Sequence, residues 1–392
     1  MQRKTNDLIV VRGRFIGESR ASDIVLRNGV VACVRRAGRA EPDIGSAEAY
    51  LGPVLFDMQV NGAAGITLQG AALKMEDVWE ITEYLAQWGV ARWMPTLITA
   101  PRETMEHGCR IIAKAMKRPE AARAIPGIHL EGPYISPEDG PRGAHPKAHV
   151  RPPSLMEFNR FMRAAEGRIR CVTLAPESPG ALPFIRALSQ RGILVALGHH
   201  QANAAQIAQA VGAGARLATH LGNGAASLIH RHLNPLWPQL AEDRLHASLI
   251  ADLHHLPESA LKTFVRAKRP ERVVLVSDCV DLAGRKPGAY SLFNAAVELK
   301  PNGKICLQGT DLLAGSSLML HQGVINAWRT TDLTLSQAFA CASSIPLKLF
   351  GLKPPSMASV GKKANLLVFE LNRKDGPRLQ AVFIEGKPIP PK

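Results

Sequence analysis

The chain has 392 residues, 46% hydrophobic and 21% charged, which suits a soluble globular protein with one large domain and a small one, or two medium ones. No apolar run approaches the roughly 18 residues of a membrane-spanning helix, so none is expected. The formal net charge is +15, but the basic residues come as singles and pairs such as Arg35-Arg36 and Lys362-Lys363, with no basic run interleaved with aromatics. That pattern favours a solvated basic surface drawing in an anionic substrate over nucleic-acid binding.

The opening MQRKTNDLIVVRGRFIG has basic residues but no long apolar stretch and no small-residue cleavage site, and it reads as a first strand rather than a signal peptide. Residues 7–51 hold short strand-like pieces, LIVVRGRFI and GVVACVRRAG, separated by turn residues. From residue 53 on, apolar runs alternate with helix-like segments. The runs are PVLFDMQV (53–60), ARWMPTLI (91–98), AIPGIHLE (124–131), RCVTLAPE (170–177), ILVALGHH (193–200), ARLATHLG (215–222), ASLIADLHH (247–255) and RVVLVSDC (272–279). Amphipathic stretches such as 73–89, 103–117 and 201–212 lie between them. Continuous apolar strands separated by helices imply a parallel sheet covered on both faces. Eight such units favour a closed (β/α)8 TIM-like barrel. A doubly wound sheet would need a GxGxxG phosphate loop after its first strand, and none appears.

Towards the C-terminus, NLLVFEL (365–371) and LQAVFIEGKPI (379–389) share the character of the first fifty residues. The two ends are therefore expected to pair as one small β-sandwich domain, 1–52 with 355–392, around a catalytic barrel at 53–354. The six cysteines, 33, 109, 171, 279, 306 and 341, show no CxxC spacing and sit mostly in apolar segments. Reduced, buried thiols in a cytoplasmic protein are the expectation.

The stretch IHLEGPY (128–134) places Glu131 where an apolar strand must stop at Gly132-Pro133. An unpaired buried carboxylate is costly, so Glu131 should be paired, protonated or holding a cation, unless it simply reaches water. Other strand ends carry Asp57, Gln59 and Asn61, then His199, His220, His254 or His255, and Asp278. In a parallel barrel such groups converge on one mouth. Any one alone is readily a core or cap residue; together they are not chance. One carboxylate with two imidazoles is a frequent catalytic zinc set, and a separate Asp on the last strand is placed to act as a general base on a water. Activated water with a polarised carbonyl describes hydrolysis of an amide or ester, and Glu131 is best read as a ligand.

HLEGP (129–133), VTLAPE (172–177), GHHQA (198–202), THLGN (219–223) and VSDCVDLAG (276–284) occur in the order and spacing of the N-acetylglucosamine-6-phosphate deacetylases, a family of the metal-dependent amidohydrolase barrels, and the chain resembles them. PTLIT (95–99), LAGSSL (313–318) and VGKKANLLVFE (360–370) extend the likeness over nearly the whole chain. The resemblance implies removal of the acetyl group from N-acetylglucosamine 6-phosphate, releasing glucosamine 6-phosphate and acetate. It further implies Glu131, His199 and His220 as metal ligands. Asp278 would take a proton from the metal-bound water and pass it to the departing amine. His145 would polarise the acetyl carbonyl and His255 contact the sugar. Asn223 and Gly224 would grip the phosphate, joined by Arg231 from the neighbouring subunit of a homodimer.

Two departures stand out. Many superfamily members carry H-x-H at the end of the first strand, where this chain has Gln59-Val60-Asn61. Neutral amides are poor zinc ligands beside imidazole, so one divalent ion per chain is expected, zinc first and Fe2+ or another first-row metal as alternatives. Gln59 and Asn61 would then act in support, hydrogen-bonding the bound water. Where most members read THL-Tyr-Asn-Ala-Met, this chain has Gly222-Asn223-Gly224-Ala225, and Ile229–Trp237 is also unlike them. These changes fall on the sugar and phosphate side, so deacetylation of another N-acetyl sugar or a related amide is the alternative. A catalytically inactive binding barrel is a third reading, against which the retention of Glu131, both histidines and Asp278 argues.

Overall fold

The computed structural model describes residues 8–292, 295–372 and 376–392. Eight strands form the barrel: β1 (Leu55–Val60), β2 (Val90–Ile98), β3 (Ile128–Glu131), β4 (Ile169–Leu174), β5 (Leu194–Leu197), β6 (Leu217–Ala218), β7 (His246–Ile250) and β8 (Val273–Val276). They pair in sequence order as one sheet, parallel throughout. The first and last strands meet just past their ends: Asn61 N–H donates to the Cys279 carbonyl at 2.8 Å, and Asp278 N–H donates to that of Gln59 at 3.0 Å. The barrel is therefore nearly closed at the mouth, with Gln59, Asn61 and Asp278 side by side at the seam.

The strands read as continuous apolar runs because helices cover their outer faces while side chains fill the interior. The helix Arg102–Ala115 buries Met105, Cys109 and Ile112, a spacing of four and three residues that makes one stripe. The helix Ala204–Ala213 starts where Asn203 accepts from the Gln206 amide and Gln206 reaches back to the Asn203 amide. That box ends the loop after His199 within four residues and fixes its length.

The termini meet in one continuous seven-stranded sheet, ordered Lys387–Ile389, Gly376–Ile384, Leu366–Asn372, Ile44–Pro53, Leu8–Phe15, Ala21–Arg27, Val30–Arg36. The expected sandwich takes the form of this sheet curled over its own core of Val11, Ile24, Leu26, Leu51, Val368 and Phe383. The curl is held where Val31 N–H donates to the Lys362 carbonyl and Gly361 N–H to that of Val31, both at 2.9 Å. The expected first strand is seen from Leu8, since residues 1–7 lie outside those described.

One element was not read from the sequence. Between β8 and the helix Leu320–Thr330, an antiparallel four-stranded sheet is inserted: Gly288–Leu292, Ala295–Leu299, Lys304–Leu307 and Leu313–Ser316. It has its own small core, including Val280, Leu292, Val297 and Ile305. It is tied to the barrel mouth where His254 Nε2 donates to the Asn302 carbonyl at 3.1 Å. All six cysteines are free thiols, five of them buried and Cys33 partly so. Among the described residues, no helix is long and apolar enough to cross a membrane.

Candidate functional site

Glu131 ends β3, His199 follows β5 by two residues, and His220 follows β6 by two. All three are buried. His199 Nε2 lies 3.1 Å and His220 Nε2 2.8 Å from Glu131 Oε1, and the two ring nitrogens are 3.1 Å apart. Three potential donors thus converge on one point, as a bound cation requires. The other side of the His199 ring supports this: Nδ1 lies 2.8 Å from the Pro141 carbonyl, which can only accept, so Nδ1 keeps a proton and Nε2 is the nitrogen that can give up its own to a cation. Burial alone would raise the Glu131 carboxyl, but hydrogen bonds to His199 and His220 and their charge hold it well below the usual carboxylate range. Burial likewise opposes protonation of His220, yet its bond to Glu131 and the nearby carboxylate charges raise it.

The local backbone explains how short strands deliver these groups. His199, His220 and Asp278 all adopt positive φ, at 53°, 27° and 51°. Left-handed backbone at a non-glycine residue costs of order 1–3 kcal/mol and clusters at functional sites. Here it turns each side chain back over the mouth two residues after its strand stops. The loop after His220 packs against the site so closely that a Cβ on Gly224, itself at φ 59°, would come within 2.8 Å of the His199 ring.

Asp278 faces the triad across the pocket. Burial, then the Glu131 charge, push its carboxyl up to about 7, against hydrogen bonding by Asn61. Asn61 Nδ2 donates to Asp278 Oδ1 at 2.7 Å, while Gln59 Nε2 donates to Glu131 Oε1 at 2.9 Å. Each amide of the Q-x-N pair therefore holds one of the two carboxylates. Cys279, next to Asp278, is not a nucleophile in waiting: burial, with the Asp57 charge, raises its thiol far above neutrality.

His145 lines the pocket with its ring packed edge-on against His199, centroids 4.3 Å apart. His255 also lines it and is oriented by Asp252, whose Oδ2 lies 2.7 Å from Nδ1. Of the pair left open in the sequence, His255 faces the pocket and His254 turns to the inserted sheet. Asn223 and Gly224 border the pocket, with the Asn223 side-chain amide donating to the His220 carbonyl at 3.2 Å. Arg231 is exposed and does not line the pocket of its own chain.

One expectation is corrected. Asp57 is not at the mouth: it is 1% exposed, and its Oδ1 accepts from the Gln59 and Ser277 amides at 3.3 and 3.2 Å, tying β1 to β8 beneath the site. Sequence reasoning missed Thr99, Pro141 and Asp252, which touch site histidines rather than the pocket. Thr99 ends the quoted PTLIT motif, and Asp252, whose Oδ1 accepts from the His254 and His255 amides, stands two residues ahead of the His pair; Pro141 carried no signal. It also missed Leu313 and Gly315, which bring the inserted sheet to the pocket wall.

The amidohydrolase family model matches residues 50–389. The N-acetylgalactosamine-6-phosphate deacetylase of Escherichia coli O157:H7 is 32% identical over 342 residues, 86% of each chain. The N-acetylglucosamine-6-phosphate deacetylase of Homo sapiens is 34% identical over 369 residues, covering 90% of this chain and 86% of its own. The fold is also similar to that of the N-acetyl-D-glucosamine-6-phosphate deacetylase of Mycobacterium smegmatis, solved as a mutant in complex with N-acetyl-D-glucosamine-6-phosphate. That match has 26% identity and a TM-score of 0.85 over 98% of this chain and 99% of the other.

Proposed function

This chain belongs to the amidohydrolase family, and from that premise we propose that it removes the acetyl group from N-acetylglucosamine 6-phosphate, giving glucosamine 6-phosphate and acetate. The observation that carries the reading is the convergence of Glu131, His199 and His220 on one point, opposite a half-buried Asp278 with a raised pKa. An acid so placed is matched to proton transfer near neutral pH. A second reading, the same reaction on the 4-epimer N-acetylgalactosamine 6-phosphate, is favoured by the 32% likeness to an enzyme of that name.

The residues fit a divalent cation: two neutral-capable imidazoles and one carboxylate in reach of a single point, with the His199 tautomer set by Pro141. We propose one such ion per chain, zinc first, with Fe2+ or another first-row metal as alternatives. When bound, it supplies Lewis-acid polarisation and makes water a stronger acid. The chain's own residues do the rest. Glu131 is held for ligation by Gln59. Asp278, aimed by Asn61, accepts a proton from the attacking water and delivers it to the departing nitrogen. His145 faces the acetyl carbonyl, and His255, fixed by Asp252, contacts the sugar. Asn223 and the Gly224 backbone receive the phosphate.

The pocket of one chain has no Lys or Arg among its lining residues, while Arg231 is exposed within a loop that also exposes Leu228 and Leu233 and leads into a helix exposing Trp237. An apolar, cation-bearing loop beside a pocket short of positive charge supports a homodimer in which Arg231 reaches the partner's phosphate. The test is acetate release from both phosphorylated epimers and from unphosphorylated N-acetylglucosamine, with metal present and after chelation. Release that survives complete chelation, or that is absent with every N-acetyl sugar, overturns the proposal.

A further inference from the structure

We infer that Thr99 is a positioning residue that sets the tautomer of His145, so that its Nε2 carries the proton and points a hydrogen-bond donor into the pocket. The inference rests on the proposed role of His145 and deepens it. Thr99 follows β2 directly and is 1% exposed. Its hydroxyl lies 2.9 Å from His145 Nδ1, and its backbone N–H is directed at the same nitrogen with N···N 3.4 Å. An N–H group can only donate, so the ring nitrogen it faces must offer a lone pair. The hydroxyl, free to rotate, donates to that lone pair as well.

An imidazole that keeps its lone pair on Nδ1 to accept from the Thr99 N–H carries its single proton on Nε2. Nε2 has no hydrogen-bond partner among the described residues, and the ring borders the pocket. A polarised carbonyl needs a donor there; the other tautomer would present a lone pair and repel the developing oxyanion.

The neighbourhood is built around this contact. Gly132, immediately after Glu131, has φ 93°, and a Cβ on it would stand 2.2 Å from Thr99 Oγ1. The Gly that stops β3 thus leaves the space in which the Thr99 hydroxyl meets His145. PTLIT and HLEGP, separate motifs in sequence, are one device in space.

The tautomer is read directly from histidine ring 15N shifts of the wild-type protein, with the His145 signal identified by its loss in His145→Ala. A proton on Nε2 is expected, and a proton on Nδ1 overturns the inference. Thr99→Val, which keeps shape but loses the hydroxyl, should lower kcat about ten- to a hundredfold with KM little changed, as loss of a partner that orients a functional histidine typically does. Thr99→Ser should restore kcat to within a few-fold. If Thr99→Val does not fold, Thr99→Ala is read in its place. In a His145→Ala background, either Thr99 variant should have no further effect on kcat. If His145→Ala lowers kcat and the Thr99 variants do not, the positioning role fails alone. If His145→Ala itself leaves kcat unchanged, the proposed role of His145 fails with it.

Discussion

Replacing Asp278 by Asn separates catalysis from stability in opposite directions. The substitution is isosteric, and the Oδ1 that accepts from Asn61 at 2.7 Å remains an acceptor, so the seam between β1 and β8 should hold. None of the three metal donors is touched. Turnover loses its base, which typically costs 10²- to 10⁴-fold, or about 3–5 kcal/mol of barrier. Stability should move the other way. A buried acid whose folded pKa lies above its unfolded value binds its proton more tightly when folded, so the fold loses stability as pH rises past the unfolded pKa. The loss accumulates until the folded pKa is reached. For Asp278, taken from the ordinary 3.8 to about 7 chiefly by burial, that penalty is at most about 4 kcal/mol above pH 7 and absent near pH 4. Asp278→Asn removes it. Urea unfolding of the metal-free proteins should therefore show the variant more stable than wild type at pH 8 and equal to it at pH 4, while metal content after reconstitution is unchanged. Near wild-type turnover would refute the assignment of the base. Equal stability at pH 8 would refute the claim that the carboxyl is desolvated.

His145→Ala should lower kcat more than it weakens substrate binding, because a donor to the carbonyl acts mainly in the transition state; steady-state kinetics with a product-inhibition constant as the binding measure check this. Arg231→Ala should raise KM for the phosphorylated sugar far more than for the unphosphorylated one, since an Arg–phosphate contact is charge-assisted; equal effects would point to a neutral sugar. The acid limb of kcat/KM in the metal-loaded enzyme should lie below about 7, because a dication beside Asp278 favours its ionised form and activity falls as pH drops through that pKa. Elemental analysis of fully active protein should find one tightly bound ion per chain, and two would overturn the single-site reading.

Much of the barrel is legible because strands buried on both faces are written as uninterrupted apolar runs, and the eight runs correspond to eight parallel strands. Their limits are less legible. The run 215–222 contains only Leu217–Ala218 as strand, and residues 219–222 are the turn that presents His220. AIPGIHLE begins as the end of the helix Pro119–Ala124, and its strand starts only at Ile128. The inserted sheet escaped because its strands are four or five residues long, half-exposed, and packed on a seven-residue core of their own. The site residues were legible as polar groups at strand ends, but not the left-handed backbone that aims them, since His and Asp give no sign of φ in a sequence. Nor could the sequence reveal Pro141, whose contribution is a carbonyl that any residue possesses.

The Gln59-Val60-Asn61 departure also acquires a physical meaning once the side chains are placed. The pocket holds two acids, Glu131 and Asp278, and no other carboxylate among its lining residues. One dication balances their two negative charges, while a second would leave two uncompensated positive charges in the site, a cost that no further carboxylate among the lining residues offsets. The two amides therefore do different work from a pair of imidazole ligands. Gln59 donates to the carboxylate that ligates, and Asn61 donates to the carboxylate that moves the proton. Each amide restrains its acid without adding charge, and in the metal-free protein the raised pKa of Asp278, set by burial and the Glu131 charge, stands beside the depressed one of Glu131. Two carboxylates a short distance apart, driven to opposite protonation behaviour by their neighbours, are what a single-ion hydrolase needs to keep one acid bound and the other available to a proton.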